Sequence, residues 1–385
     1  MTTPERLDVL HHDTTKVLLD ELQDNQLVYF LLNVGDGDAQ VVLLPTDPIT
    51  GARRAIIVDA GRTTKVPKLL DELATNGLLP TAGDNRLAEG AIALVVATHP
   101  HQDHIAGMAE LLDGYGHAVD ELWDPGYYHP TPDYIDMMRA IEHHTQIVYS
   151  QPASGLRRYI ANVAVTVLSP SIQLRNRFDT YGVQINDSSI SLRLEFPASR
   201  VIERGEDREI IQQRRPATLS LGADAQTLSW SYVLTDFPNI PASQSAAAKA
   251  IRAAQGADLL GAHVLKVSHH ASKHGVNLEL VKRISPAFTL VSCASPGRHS
   301  FPHTVAQAVI REALDPIATS DRHHKPDADL GLFYTCDKDT NDDPLGSIAV
   351  VMQPARRHLW RFRDTPSEPL ELSDGILWAP QEDPP

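Results

Sequence analysis

An apolar run, Ala91-Ile-Ala-Leu-Val-Val-Ala97, breaks off into Thr98-His-Pro-His-Gln-Asp-His104. The run is short and rich in Val and Ile, which predicts a strand buried on both faces over 91–97. Pro100 has no backbone donor, so the chain must leave the ladder there. The polar residues then sit in a loop at the rim of a sheet. A helix is expected from near Asp103, with Ile105, Met108, Leu111 and Leu112 on its buried face. Imidazole and carboxylate are good ligands for divalent metals. His99, His101, Asp103 and His104 place four such groups within six residues. A solvated His-rich loop is the plainer alternative, but a spacing this dense favours a metal cradle.

The rest of the chain bounds what such a cradle serves. Its 385 residues are enough for one elaborated domain or two. No apolar run is long enough to cross a bilayer. Met1 to Asp20 is polar and acidic without a signal-peptide pattern, so the expectation is a soluble, cytoplasmic protein with no membrane contact. The net charge of −15 argues against a broad basic surface for nucleic acid. It does not exclude a nuclease, because bound metals add positive charge that the count omits. Two cysteines, Cys293 and Cys336, make a disulfide framework unexpected and read as small core residues.

The loop Thr98-His99-Pro100-His101-Gln102-Asp103-His104 resembles the signature of the metallo-β-lactamase fold superfamily. The resemblance implies an α/β protein, an αββα sandwich, with two metals at one edge. His99 and His101 would bind one metal, and Asp103 and His104 the other. Other stretches are similar to the soluble metallo-β-lactamase-like domain of the ComEC competence family. Asn33-Val34-Gly35-Asp36-Gly37-Asp38-Ala39 resembles its opening D-V-G-Q-G-D-A, with Asn33 for Asp and Asp36 for Gln. Ile56-Ile57-Val58-Asp59-Ala60-Gly61 resembles the next motif. Asp59 is expected behind the metals, accepting the outer N–H of a ligand histidine.

Further along, Asn186-Asp187-Ser188-Ser189-Ile190 resembles a family element, so Asp187 or Asn186 is a candidate third ligand of the first metal. A polar turn before a strand explains those residues equally well. Leu228 to Phe237 reads as a strand ending at Asp236, the family's bridging aspartate, although the Gly before it is missing. Leu265-Lys266-Val267-Ser268-His269-His270 resembles L-K-V-x-H-H; His269 is expected to complete the second metal's ligands, with His270 toward substrate. His303 is the candidate for contacting the scissile group or its leaving oxygen. His117, His129, His143 and His144 default to the surface.

The expected organisation is a lead-in over 1–25 with a short helix at 15–22, a hydrolase domain over 26–353 and a Pro- and acid-rich tail over 354–385. A charged surface insertion is expected over 199–227, and an Ala-rich helix over 243–255. The resemblance implies a binuclear hydrolase whose metal-bridging hydroxide attacks a phosphodiester, a phosphodiesterase or nuclease. Zinc is the default metal and manganese the alternative. The acidic balance favours a nucleotide or single-stranded nucleic acid as substrate. A carbonyl hydrolase of lactonase or thioesterase type, or a weakened ligand-binding module, are the alternatives, since one fold hosts many reactions. Asp103, His270 and His303 are the residues expected at the reaction itself.

Overall fold

Alternation along the strands sorts their side chains into two cores, and those cores fix the architecture of the computed structural model. It describes residues 17–382 other than 84–85, 179–183, 205–206, 212–215, 239–244, 247–258, 296, 298–299 and 317–324. In Ala55–Ala60, Ile56 and Val58 face one way, while Ala55 and Ile57 face the other. The first pair meets Leu94, Val96 and Trp123 of its own sheet, and Val165, Leu192, Leu219 and Leu290 of a second sheet. The other pair packs against helices Lys65–Thr75, Met108–Tyr115 and Pro132–His143. On the far side, Leu265, Val267 and Val291 pack against helices Thr227–Asp236, Leu278–Ile284 and Thr304–Leu314. The layers run helix, sheet, sheet, helix, which is the αββα sandwich of the metallo-β-lactamase fold.

The first sheet has nine strands, ordered Ile376–Glu382, Arg356–Arg361, Ile348–Gln353, Leu27–Leu31, Ala39–Leu43, Ala55–Ala60, Ile92–Val96, Glu121–Trp123 and Val148–Ser150. The last four are parallel, so their carboxyl ends share one edge. The second has seven, ordered Leu332–Tyr334, Phe288–Val291, Val264–Lys266, Ala217–Leu221, Ser191–Phe196, Val163–Ser169 and Arg157–Ile160. Its first four are also parallel. Carboxyl ends of parallel strands leave a crevice where α/β proteins bind ligands. No helix among the described residues is long and apolar enough to cross a membrane.

Three expectations fail here. The stretch past 353 is not a loose tail: Arg356–Arg361 and Ile376–Glu382 extend the nine-stranded sheet. Leu359 joins the core between the sheets and Trp360 the outer one, both fully buried. The presumed insertion over 199–227 holds a hairpin, Arg200–Arg204 with Asp207–Ile211, but then a central strand, Ala217–Leu221. Leu228 to Asp236 lies in a helix rather than a strand, with Phe237 as its C-cap; Trp230, Val233 and Phe237 recur at helical spacing and are its buried apolar residues. Of the lead-in, residues 1–16 lie outside the described residues, and the helix is Leu18–Glu21. Most of the Ala-rich stretch 243–255 also lies outside them. Cys293 and Cys336 are free thiols.

Candidate metal centre

The loop after Ile92–Val96 is held by Asp59, the penultimate residue of the neighbouring strand, which takes a left-handed backbone (φ +59°). One Asp59 oxygen accepts the Thr98 backbone N–H at 2.8 Å. The other accepts the Thr98 hydroxyl at 2.8 Å and lies 2.7 Å from His104 Nδ1. This side chain therefore sets both the loop and one imidazole. Burial lifts Asp59 above the usual carboxylate range, while His104 pulls the other way. Gly61 and Gly37 let the chain close over Asp103, since a Cβ at either would stand 2.7 Å from the Asp103 carbonyl oxygen.

Tautomers follow from these partners. The Thr98 hydroxyl gives its proton to Asp59, so at 3.2 Å it accepts from His99 Nδ1. His104 Nδ1 donates to Asp59, and His270 Nδ1 donates to the Ser292 carbonyl at 3.0 Å. Each of the three rings is left with Nε2 as its bare nitrogen, the arrangement in which an outer acceptor fixes a ligand imidazole.

Those nitrogens converge on Asp224, which is 1 % exposed. Its Oδ1 lies 3.3 Å from His104 Nε2 and 3.7 Å from His270 Nε2. Its Oδ2 lies 3.8 Å from His99 Nε2 and 3.7 Å from His269 Nε2. Two groups result, each with donor atoms within 4.8 Å of one another: Asp103, His104, Asp224 and His270, and His99, His101 and Asp224. Asp224 belongs to both. Within the first, His104 Nε2, His270 Nε2 and Asp224 Oδ1 are buried without a hydrogen-bond partner among the described residues. Leaving such atoms unpaired costs about 1–3 kcal/mol each. A cation satisfies all three at once, so the donor set fits a divalent metal.

The protonation equilibria carry the same message. Burial works against a charged His104, yet Asp224, Asp59 and Asp103 outweigh it and hold the ring well above the ordinary imidazole range. His270 is raised by Asp224 and Asp103, also against burial. Asp103 and Asp224 are held below the usual carboxylate range despite burial, chiefly by His104 and, after it, by His270. The proton on these rings stands where a metal would supply the positive charge. His99 lacks that excess of carboxylates, and burial holds it well below the imidazole range.

Several expected site residues lie elsewhere. Asp236 ends the helix Thr227–Asp236 on the surface, and Asp224 holds the position proposed for it. His270, not His269, joins the group with Asp103 and His104. Both histidines have left-handed backbones, φ +48° and +50°, which turn successive rings to different sides. The His269 ring is partly exposed, with the amide nitrogens of Asn186 and Gln226 at 3.2 and 3.1 Å. Burial lowers its pKa and keeps it neutral at pH 7. Asp187 is tied to Ser229, whose N–H and hydroxyl donate to it at 3.3 and 2.9 Å. His303 caps the helix Thr304–Leu314, its Nδ1 accepting from Val305 N at 3.1 Å. His129 does not lie apart: its ring is 6.3 Å from that of His101.

Above the two groups lies a cleft of about 390 Å³ lined by Asp36, His101, Gln102, Asp103, Asn186, Asp224, His269 and Phe301. The sequence over residues 49–169 matches the model of the metallo-beta-lactamase superfamily. No curated protein matches it in sequence. Similar solved structures include the metallo-beta-lactamase fold protein YhfI from Bacillus subtilis, 14 % identical over 74 % of this chain and 93 % of that one, TM-score 0.39. CmlA, a diiron beta-hydroxylase from Streptomyces venezuelae, is 13 % identical over 79 % of this chain and 53 % of that one, TM-score 0.39. A long form RNase Z from yeast is 11 % identical over 70 % of this chain and 38 % of that one, TM-score 0.34.

Asp59→Asn keeps the shape but weakens the acceptor behind His104. The expected result is a fall of about 10–100-fold in affinity for one of two metals, the usual effect of losing an outer partner. Competition with a chromophoric chelator reads it; unchanged affinity would remove Asp59 from the account.

Proposed function

We propose that this protein is a binuclear metal-dependent hydrolase that cleaves phosphodiesters of nucleotides or single-stranded nucleic acid. The observation that carries the reading is the convergence of three Nε2 atoms on the buried, shared Asp224. His99, His101 and Asp224 would hold one cation; Asp103, His104, His270 and Asp224 the other. Zinc suits the imidazoles, and manganese the carboxylates. Two such cations supply a water acidic enough to act as a nucleophile at neutral pH and positive charge for the phosphate oxygens.

The chain's own residues bind and orient. Asn186 and Gln226 fix the His269 ring at the cleft, where, neutral, it hydrogen-bonds a phosphate or leaving oxygen without bringing charge. Asp103 Oδ2 lies 3.7 Å from His270 Nε2 and 3.8 Å from His104 Nε2, so it faces the same centre as both rings. Among the described residues the cleft lining has three carboxylates and no lysine or arginine, so from these an anionic ester draws no attraction and the cations would supply it. The likeness of residues 33–39 to the ComEC-type domain supports phosphoester chemistry.

Metals per chain measured by mass spectrometry, beside turnover of bis-p-nitrophenyl phosphate with zinc or manganese, test the reading. Two metals are expected, with turnover lost in Asp103→Ala. Two metals without turnover would move the assignment to carbonyl hydrolysis. No metal under any loading would leave a binding module.

A further inference from the structure

The strand Glu121–Trp123 runs parallel to the strand that feeds the metal loop, so its own carboxyl-end loop, residues 124–131, opens on the same edge. In that loop the His129 ring lies 6.3 Å from His101, and in the helix that follows it Asp133 accepts from Gln102 Nε2 at 3.0 Å. Tyr127 is two residues from His129, a chain span of no more than about 7 Å. Its ring meets Phe178 at 5.3 Å, tilted by 59°. Beside that pair is a second cleft of about 280 Å³, lined by Gly126, Ile172, Arg175, Asn176 and Phe178.

This cleft is built rather than incidental. Asp124 is buried and accepts from Gly126 N at 2.7 Å and from Tyr149 Oη at 2.9 Å, which fixes the turn. Gly126 has φ +81°, and a Cβ there would stand 2.8 Å from Gln151 Oε1. Gln151 in turn accepts from Arg175, through its carbonyl and, at 3.3 Å, through Oε1. The guanidinium is thus a half-buried, oriented plane at the side of an aromatic pair. Ile172 adds an apolar wall that is 63 % exposed among the described residues.

We infer that the Phe178–Arg175 cleft, beside Tyr127, is a nucleobase subsite, receiving the base that flanks a phosphodiester held at the metal centre. The inference rests on the phosphodiesterase reading and names its substrate class. Aromatic faces stack any base, and an arginine plane either stacks on it or donates to its acceptor edge. The cleft is smaller than the roughly 300–1,000 Å³ of pockets that enclose whole ligands, so it takes one ring system. The phosphate then lies in the cleft over Asp224.

Two esters with one leaving group test it: thymidine 5′-(p-nitrophenyl phosphate) and methyl p-nitrophenyl phosphate, on the metal-loaded protein. The wild type is expected to favour the thymidine ester about tenfold or more in kcat/KM, the effect of one stacked base. Phe178→Leu keeps volume without the aromatic face and should cut that ratio severalfold, with Phe178→Tyr restoring it. A ratio near one in the wild type, or one unmoved by Phe178→Leu, overturns the subsite. Should neither ester turn over, the phosphodiesterase reading fails separately. Calorimetry with thymidine 5′-monophosphate against deoxyribose 5-phosphate then decides. Tighter binding of the nucleotide that is lost in Phe178→Leu supports the subsite, and equal affinities overturn it.

Discussion

Asp224→Ala is expected to lower metal content from two per chain to one or none and to cut turnover by more than ~100-fold, beyond what loss of an outer partner costs. The residue is 1 % exposed and its two oxygens face different groups, Oδ1 toward His104 and His270, Oδ2 toward His99. Removing it takes a donor from both metals at once. It also removes the negative charge that the three bare Nε2 atoms surround, leaving neutral imidazoles with less charge to offset that of the cations. Asp224→Asn keeps the volume but loses the charge, and should fall between wild type and alanine. Asp236→Ala is the matched control. It sits exposed at a helix end, where substitutions usually change stability by no more than about 0.5 kcal/mol, and it should leave metal content and turnover unchanged. Metal analysis of the three variants decides the assignment. Loss in Asp236→Ala with retention in Asp224→Ala would reverse it.

The two aspartates also show what was legible in the sequence. The metal loop was readable because a buried strand, a proline and a dense ligand spacing all fall within 91–104. The αββα class followed from that loop's resemblance to the metallo-β-lactamase fold superfamily, and the strand–helix alternation around it fits an α/β layered domain. Asp224 was not found, because it lies inside a stretch whose charged first half reads as surface. The signal was present nonetheless: Ala217-Thr-Leu-Ser-Leu221 leads into Gly222-Ala223-Asp224, the strand–Gly–Asp order sought twelve residues too late. Gly222 is required, since a Cβ there would stand 2.2 Å from Ser268 Oγ, beside the His269–His270 turn. At Asp236 the same search met alternating Leu228, Trp230 and Tyr232, a pattern of period 2 that tertiary packing overrode with a helix. The order of His269 and His270 was beyond the sequence altogether. It depends on three consecutive left-handed residues, His269, His270 and Ala271, a conformation uncommon outside glycine even though histidine enters it more often than most residues. The edge strands past 353 were hidden by proline and acid, yet Leu359-Trp360 marked a core-forming pair.

Lys266→Met is expected to destabilise the metal-free protein by about 3–5 kcal/mol, the usual result of stripping one partner from a buried ion pair. Lys266 and Asp38 are both fully buried, and the ammonium donates directly to Asp38 Oδ2. Among the described residues Asp38 is paired with no other lysine or arginine. Its Oδ1 is already unpaired among the described residues, 3.9 Å from His270 Nδ1, and its Oδ2 is 3.9 Å from His104 Nδ1. Asp59 lies close enough to group with Asp38 and His104, so the variant leaves two carboxylates behind the rings without the compensating ammonium. The same change acts with opposite sign on the metals. A fixed positive charge near the centre opposes cation binding, and its removal should tighten the metals and return part of the lost stability by mass action. Urea midpoints therefore should fall sharply in chelator and less with zinc or manganese present. The double variant Asp38→Asn/Lys266→Met removes both charges and should regain most of the loss, since replacing a whole buried pair by uncharged groups is often neutral. If the double variant stays as unstable as Lys266→Met, packing rather than charge holds this part of the sandwich together.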